Sequence, residues 1–301
     1  MAAALHHTAA THFATSPTLA ALKQPDVLTL HVDFVRPCER HDSSITVTDL
    51  KAGAITSTIQ LVLSQKGKAR AIAIATSINF DTPVGPSSEA GWRPSPSLKP
   101  TPRFDRVLAG QPDGNWIPAC LAGEVIPFTK RLIVLHPREG HIVDGVLDLW
   151  NGFRTPEGDE EPMDATQLAL LTDTIPWLSD TLLRNGGLYD AHTSWAQMTK
   201  WSEEQPGKTV QLTNSLKDLM RAEIFNNTVT LDIEFKRRVP SEGLRWTFTR
   251  AATRMIEGGR MDLDLTICNE DLEIMCLARQ VILALDAKKR FGGTGKKQST
   301  L

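Results

Sequence analysis

Hydrophobic and polar residues alternate strictly over two stretches of this chain, Thr29-Leu30-His31-Val32-Asp33-Phe34 and Thr230-Leu231-Asp232-Ile233-Glu234-Phe235, which start 201 positions apart. Alternation puts Leu28, Leu30, Val32 and Phe34 on one face of the first and Val229, Leu231, Ile233 and Phe235 on one face of the second, so each reads as a half-buried strand. The segments that follow match as well. After the first come Ile45–Thr48, Gly53, then Ile59, Leu61 and Leu63; after the second come Leu244, Trp246 and Phe248, Gly258-Gly259, then Met261, Leu263, Leu265 and Ile267. A turn and a last strand close each set, Gln65–Lys68 before 71–78 and Asn269–Asp271 before 272–283, and short turns between successive strands predict an antiparallel meander.

A helix is expected ahead of each meander. The second is the better specified: Asp164 and Gln167 have capping-box spacing, Leu168, Leu171, Ile175 and Leu178 follow at helical intervals, and Pro176 predicts a kink or a break. The alanine-rich residues 2–22 supply its counterpart. The internal repeat therefore predicts an α+β protein made of one helix-and-meander unit used twice. Between the copies, prolines 83, 86, 94, 96, 100 and 102 predict a surface linker. Residues 128–135 and 143–153 read as strands leading into the second unit. The expected boundaries are a first unit at 1–82, a linker at 83–127, a second unit at 128–288 with an insertion of mixed loop and helix at 186–225, and a flexible tail at 289–301.

Composition changes this picture little. A length of 301 residues with 41% hydrophobic and 23% charged positions is that of a folded globular protein with room for two domains. Lys+Arg 33 against Asp+Glu 35 provides no charge footprint for nucleic acid or an anionic membrane, and no apolar run approaches the roughly 18 residues of a membrane span. Four cysteines without a C-x-x-C pair argue for reduced thiols rather than a zinc site or a disulfide framework. Reduced thiols fit the cytoplasm, with the peroxisome as the alternative, and the N-terminus reads as neither a secretory signal nor a transit peptide. The closing Ser299-Thr300-Leu301 lacks the lysine of the peroxisomal tripeptide. There is no G-x-S-x-G elbow, and Gly292–Lys297 lacks the spacing of a phosphate loop. His136 and His141 flank a turn rather than one helix face, so no metal is expected there. Asn226-Asn227-Thr228 is a glycosylation sequon in form only.

The twice-used helix and meander, with Phe34-Val35-Arg36-Pro37 after the first strand, resembles the double hot-dog acyl-CoA thioesterases, and more closely their fungal thioesterase-like branch. The resemblance covers the chain from the first helix to about Lys288 and implies a tandem hot-dog fold, with antiparallel sheets wrapped around two central helices. It implies hydrolysis of an acyl-CoA or carrier-bound acyl thioester without a cofactor. The alternatives on the same fold are a non-catalytic acyl-binding module and an accessory hydrolase or cyclase of a fungal biosynthetic pathway. It further implies that the catalytic groups belong to the second copy: Asp173 on its helix, Thr228 (with Thr230 as the adjacent contender) at the start of its first strand, and Gln280 in its last. Arg36, Lys236, Arg237 and Arg238 are candidate contacts of the coenzyme A phosphates, each also explained as part of a solvated strand end, and Trp177 is grouped with Arg36, Lys236 and Arg237 as substrate-binding. Association of two copies through sheet edges is also implied. Hot-dog units begin with a strand and turn that residues 1–25 do not provide, so the first unit is expected to lack its first strand.

Read from the residues alone, Asp173 is also explained as a capping or solvated carboxylate, Gln280 as a satisfied polar strand residue and Thr228 as an ordinary strand former. The repeat offers an internal control. Residues 2–25 contain no acid, and aligning the two turns sets Thr76 opposite Gln280, so only the second copy is expected to carry the chemistry.

Overall fold

The computed structural model describes residues 1–88, 90–121, 127–141, 143–174, 182, 191–212 and 223–286. The first half opens with helix α1 (Ala2–Thr15), a single turn α2 (Pro17–Ala20) and strands β1 (Asp26–Phe34), β2 (Ser44–Lys51), β3 (Ser57–Gln65) and β4 (Lys68–Ile78). The second half runs from helix α3 (Phe104–Leu108) through β5 (Trp116–Leu121), β6 (Leu132–Pro137), β7 (Val146–Arg154), the short β8 (Glu160–Glu161) and helix α4 (Ala165–Thr174). It continues with α5 (Ala191–Glu204), β9 (Val210–Leu212), β10 (Ile224–Phe235), β11 (Thr247–Ala252), the short β12 (Ile256–Glu257), β13 (Arg260–Cys268) and β14 (Ile274–Asp286).

The fourteen strands of the described residues form one sheet whose main path is β2-β3-β4-β1-β10-β14-β13-β11-β7-β6-β5-β9. The order shows the duplication, because β1 and β10, β2 and β11, β3 and β13, and β4 and β14 hold equivalent places on either side of the β1–β10 junction. The register proves it. His31 pairs with Asp232, which is its own copy 201 positions later, and the flanking pairs Thr29↔Glu234 and Asp33↔Thr230 exchange under the same shift. A pseudo-two-fold axis therefore passes through the His31–Asp232 pair.

The concave face closes over α1 and α4, which pack on each other. Leu5, Ala9 and Phe13 of α1 and Leu168, Ala169 and Leu171 of α4 meet the inward residues of the strands in one core. The capping box expected at α4 is present: the Gln167 amide N–H donates to Asp164 Oδ1 at 2.8 Å, and the Asp164 N–H donates to Gln167 Oε1 at 2.7 Å. Among the described residues no helix is long and apolar enough to cross a membrane.

Two details differ from the sequence reading, and a third concerns the strand expected to be missing from the first half. First, the expected linker at 83–127 includes two ordered elements. Helix α3 and Leu98 lie on the outer face of the second half, where Phe104 and Val107 join Trp116, Trp150, Trp246 and Phe248 in a second core, and the Trp116 indole N–H donates to Pro100 O at 2.7 Å. Proline density masked the apolar spacing of Phe104, Val107 and Leu108. Second, Leu28 and Val229 do not sit on the inward face. Each is the extra residue of a β-bulge, between Val27 and Thr29 in β1 and between Thr228 and Thr230 in β10, so inward pointing passes to Val27 and Thr228. Third, in the first half β2 ends the sheet, whereas its counterpart β11 is followed by β7, β6 and β5, so among the described residues the first half has no equivalent of β7.

Candidate active site

Thr228 faces inward only because of the β10 bulge. An unbroken strand would have put it on the outer face with Thr230, Asp232 and Glu234; instead its hydroxyl donates to Gln280 Oε1 at 2.9 Å. Gln280 lies on β14 between the inward Ala278 and Ile282 and is 3% exposed. A buried amide is stable only with partners, and the second one is on α4: Gln280 Nε2 donates to the carbonyl oxygen of Thr172. Asp173, the next residue on α4, has a side chain 19% exposed, and its Oδ2 accepts a hydrogen bond from the α-ammonium of Met1 at 3.1 Å.

Asp173 and Thr228 line one cavity of about 370 Å³, walled by Met1, Phe34–Pro37, Asn226 and Asn227. That volume lies within the ordinary range for small-molecule sites. Three of the expected site residues, Asp173, Thr228 and Gln280, are therefore linked through α4, β10 and β14, and Arg36 joins them at the cavity wall. Lys236 and Arg237 do not. They lie just beyond the far end of β10, eight residues and roughly 25 Å of extended chain from Thr228, and are paired with Glu234 and with Glu273 at 3.1 Å. Trp177 lies outside the described residues, as does the kink expected at Pro176. Asn226 and Asn227 were missed as cavity residues; the sequence showed them only as a sequon.

The same cavity exists in copy. Pro25, Asp26 and Val27 with Phe235, Arg237 and Arg238 line a space of about 290 Å³ with His6 and Asp164. These positions are the 201-residue equivalents of Asn226, Asn227, Thr228, Phe34, Arg36 and Pro37. The chemistry is not copied. Val27 replaces Thr228. Leu30 pairs with Ala75 as Leu231 pairs with Gln280, so the counterpart of Gln280 is Ala75 and not Thr76, which matches Val281. The turn between β13 and β14 is one residue longer than alignment of the two turns allowed. His6 is buried against Phe235, with ring centroids 5.0 Å apart, and burial lowers its pKa to about 4, so the imidazole there is neutral.

The charges at the two mouths also differ. Beside Arg36, which donates to Ala69 O at 2.9 Å, lie Lys66 in the β3–β4 turn, paired with Glu39 at 3.2 Å, and Lys68 at the start of β4; beside Arg237, the β13–β14 turn carries Glu270, Asp271 and Glu273. Among the described residues no carboxylate pairs with Arg36. No group of three or more His, Cys, Asp or Glu side chains among those residues has the arrangement of a metal site.

Comparison with known proteins agrees with this architecture. The sequence profile of the acyl-CoA thioesterase N-terminal domain matches residues 1–78, and that of the acyl-CoA thioesterase C-terminal domain matches residues 105–284. A thioesterase-like protein of Talaromyces wortmannii, TwmA, is 26% identical over 306 residues, covering 95% of this chain and 84% of the relative. Among solved structures, a putative thioesterase II of Thermobifida fusca superposes with a TM-score of 0.59 at 15% identity, covering 89% of this chain and 81% of the other. The acyl-CoA thioesterase II TesB2 of Mycobacterium marinum superposes with a TM-score of 0.56 at 13% identity, covering 94% and 90%. A protein of Alicyclobacillus acidocaldarius described as having a hot dog fold gives 0.57 at 17% identity, covering 93% and 86%. The chain belongs to the acyl-CoA thioesterase family, a hydrolase of acyl thioesters built on a double hot-dog fold.

Proposed function

We propose that thioester hydrolysis takes place in the second-half cavity, with Asp173 as the general base and Thr228 and Gln280 in the same hydrogen-bonded unit. A water held between Asp173 and Thr228 attacks the acyl carbonyl, and its proton passes to Asp173. The carbon–sulfur bond then breaks, the thiol half leaves as a thiolate, and the acyl half leaves as a carboxylate. A thiol with a pKa near ~8.5 leaves readily, so the chemistry asks for a base, a positioned water and oxyanion donors more than for a strong acid.

The observation that carries this reading is the difference between the copies. One backbone geometry, bulge included, holds Thr228 and Gln280 beside an acid in the second half and Val27 and Ala75 in the first, where α1 has no acid. The substrate we propose is an acyl-CoA or a carrier-bound acyl group, with its phosphate end on the Arg36 side. Arg36 has no carboxylate partner among the described residues, and although the neighbouring Lys66 is paired with Glu39, an anionic handle fits the Arg36 guanidinium. The cytoplasm remains our proposal for the compartment, and a homodimer our proposal for the assembly.

Release of free thiol from a panel of acyl-CoAs by wild type and Asp173→Asn tests the reading. Loss of the base is expected to lower kcat by about 10²- to 10⁴-fold. Equal rates overturn it, and binding of acyl-CoA without turnover by wild type favours the non-catalytic acyl-binding module instead.

A further inference from the structure

At the mouth of the second-half cavity one carboxylate sits among basic groups. The chain leaving β1 walls the cavity with Phe34–Pro37 and then folds back against the ends of β3 and β4. Its backbone is held from those strands. The Val35 and Arg36 N–H groups both donate to Arg70 O, at 2.9 and 3.0 Å, the Glu39 N–H donates to Gln65 Oε1 at 3.0 Å, and Gln65 Nε2 donates to the carbonyl oxygens of Glu39 at 2.9 Å and His41 at 3.2 Å. The loop is thus placed without help from the Glu39 side chain. That side chain, half exposed, has its carboxylate 3.2 Å from Lys66 Nζ, 3.4 Å from His41 Nε2 and 3.5 Å from Arg70 Nη2.

Of these groups Arg70 is the least well served. It is 9% exposed, its Nη1 donates to Pro37 O at 2.8 Å, and its Nε is buried without a hydrogen-bond partner. A buried guanidinium is costly without a close counter-ion, and here the carboxylate at 3.5 Å is beyond full hydrogen-bond strength. A phosphate matches the place better. A monoester carries about 1.5 to 2 negative charges and three acceptor oxygens, and it can take two parallel N–H bonds from one guanidinium. The arrangement is also confined to this mouth. The 201-residue equivalent of Glu39 is Pro240, and the counterpart of Arg70 is Met275, whose carbonyl accepts the Lys236 N–H as that of Arg70 accepts the Val35 N–H.

Resting on the site assigned under Proposed function, we infer that Lys66, Arg70 and His41 form a phosphate subsite beside Arg36, and that Glu39 fills it as an internal counter-ion until the substrate's phosphate displaces it. A phosphate delivered by a thioester already seated in the cavity competes at high effective concentration. The carboxylate it displaces can swing into water, because Gln65 keeps the loop in place. Glu39 is therefore a specificity-determining residue: its charge sets how strongly the mouth prefers a phosphorylated handle to a neutral one. The phosphate has two sources, the nucleotide end of coenzyme A and the phosphopantetheine arm that coenzyme A shares with carrier proteins.

The test uses the full chain and one acyl group carried by coenzyme A, by 4′-phosphopantetheine and by pantetheine, which has no phosphate. Glu39→Gln is expected to raise the ratio of KM for the pantetheine thioester to KM for the coenzyme A thioester about threefold to fivefold, the range of one exposed ion pair. Lys66→Gln is expected to lower that ratio, and added salt to shrink both changes. A matching gain with the phosphopantetheine thioester supports the subsite and assigns it to the arm; a gain confined to coenzyme A supports it and assigns it to the nucleotide end. A ratio unchanged or lowered in Glu39→Gln overturns the inference and leaves the site assignment standing. If wild type shows no turnover, the site assignment fails instead. The subsite is then read from calorimetric binding of coenzyme A itself: tighter binding by Glu39→Gln than by wild type supports it, and equal or weaker binding overturns it.

Discussion

Two cavities of one ancestral design sit on opposite sides of the His31–Asp232 axis, and they differ in the side chains set on an unchanged frame. Both strands that wall them bulge at the same place, both have an arginine at the equivalent rim position, and both abut a helix from the pair in the middle. In the second half the bulge delivers a hydroxyl to a buried amide beside an acid. In the first it delivers Val27 to Ala75, and the helix contributes a neutral His6. Arg36 faces no carboxylate among the described residues; Arg237 is matched by Glu273. Duplication supplied the geometry twice, and on the proposed reading substitution at a handful of positions left the activation of water to the second copy.

The halves differ again on their outer faces, and the largest expected effect lies there. Phe104 of α3 stacks on Trp246 with centroids 4.8 Å apart and meets Trp150 edge-on, covering the second half, while β2 of the first half is largely exposed. Phe104→Ala is expected to cost about 3–5 kcal/mol, read as a lowered urea midpoint, whereas Thr46→Ala on β2 is expected to stay within about 0.5 kcal/mol. Similar costs would mean that the α3 cover is not a structural part of the second half.

A pH titration of stability sharpens the comparison further, because each half buries one neutral imidazole. Burial lowers His6 to about 4 and His136, against Trp195 at 5.6 Å, to about 3. In the unfolded chain both bind a proton below about 6.5, while in the folded chain they stay neutral. Stability is therefore complete above pH 6.5 and falls as pH drops toward 4, by about 1.4 kcal/mol per unit for each imidazole. Two protons taken up in one unfolding transition are expected if the continuous sheet makes the halves unfold together. His6→Gln should halve the slope. A slope unchanged by that replacement would contradict the buried neutral state of His6.

The smallest expected effect is at the two mouths. Arg36→Gln is expected to raise KM for an acyl-CoA about fivefold to tenfold, equivalent to roughly 1–1.4 kcal/mol, and less so in high salt. Arg237→Gln, whose guanidinium is already matched by Glu273, is expected to leave KM unchanged. Equal sensitivity at both arginines would remove the charge distinction between the mouths.

Much of this was legible in the sequence, for physical reasons. The alternations at 29–34 and 230–235 revealed the duplication and its register because a strand buried on one face must alternate. Asp164 and Gln167 marked the start of α4 because a helix N-terminus needs acceptors. Two things were hidden. A bulge changes which residues face inward without leaving a trace in the alternation itself, so Thr228 and Thr230 could not be separated, and the counterpart of Gln280 was displaced by one. A cavity also gathers residues from strand ends and loops with no common period, so Arg36, Lys236 and Arg237 looked alike until the fold put the first at one end of the β1–β10 pair and the other two at the opposite end.

The central claim, that the second-half cavity alone does the chemistry, is tested most directly by exchanging the two cavities' side chains and measuring thiol release. Thr228→Val with Gln280→Ala gives the second-half cavity the side chains of its copy. Val27→Thr with Ala75→Gln does the reverse. The account predicts that the first pair abolishes turnover while the second leaves kcat at the wild-type value. Turnover that survives the first exchange and is lost in the second would contradict it.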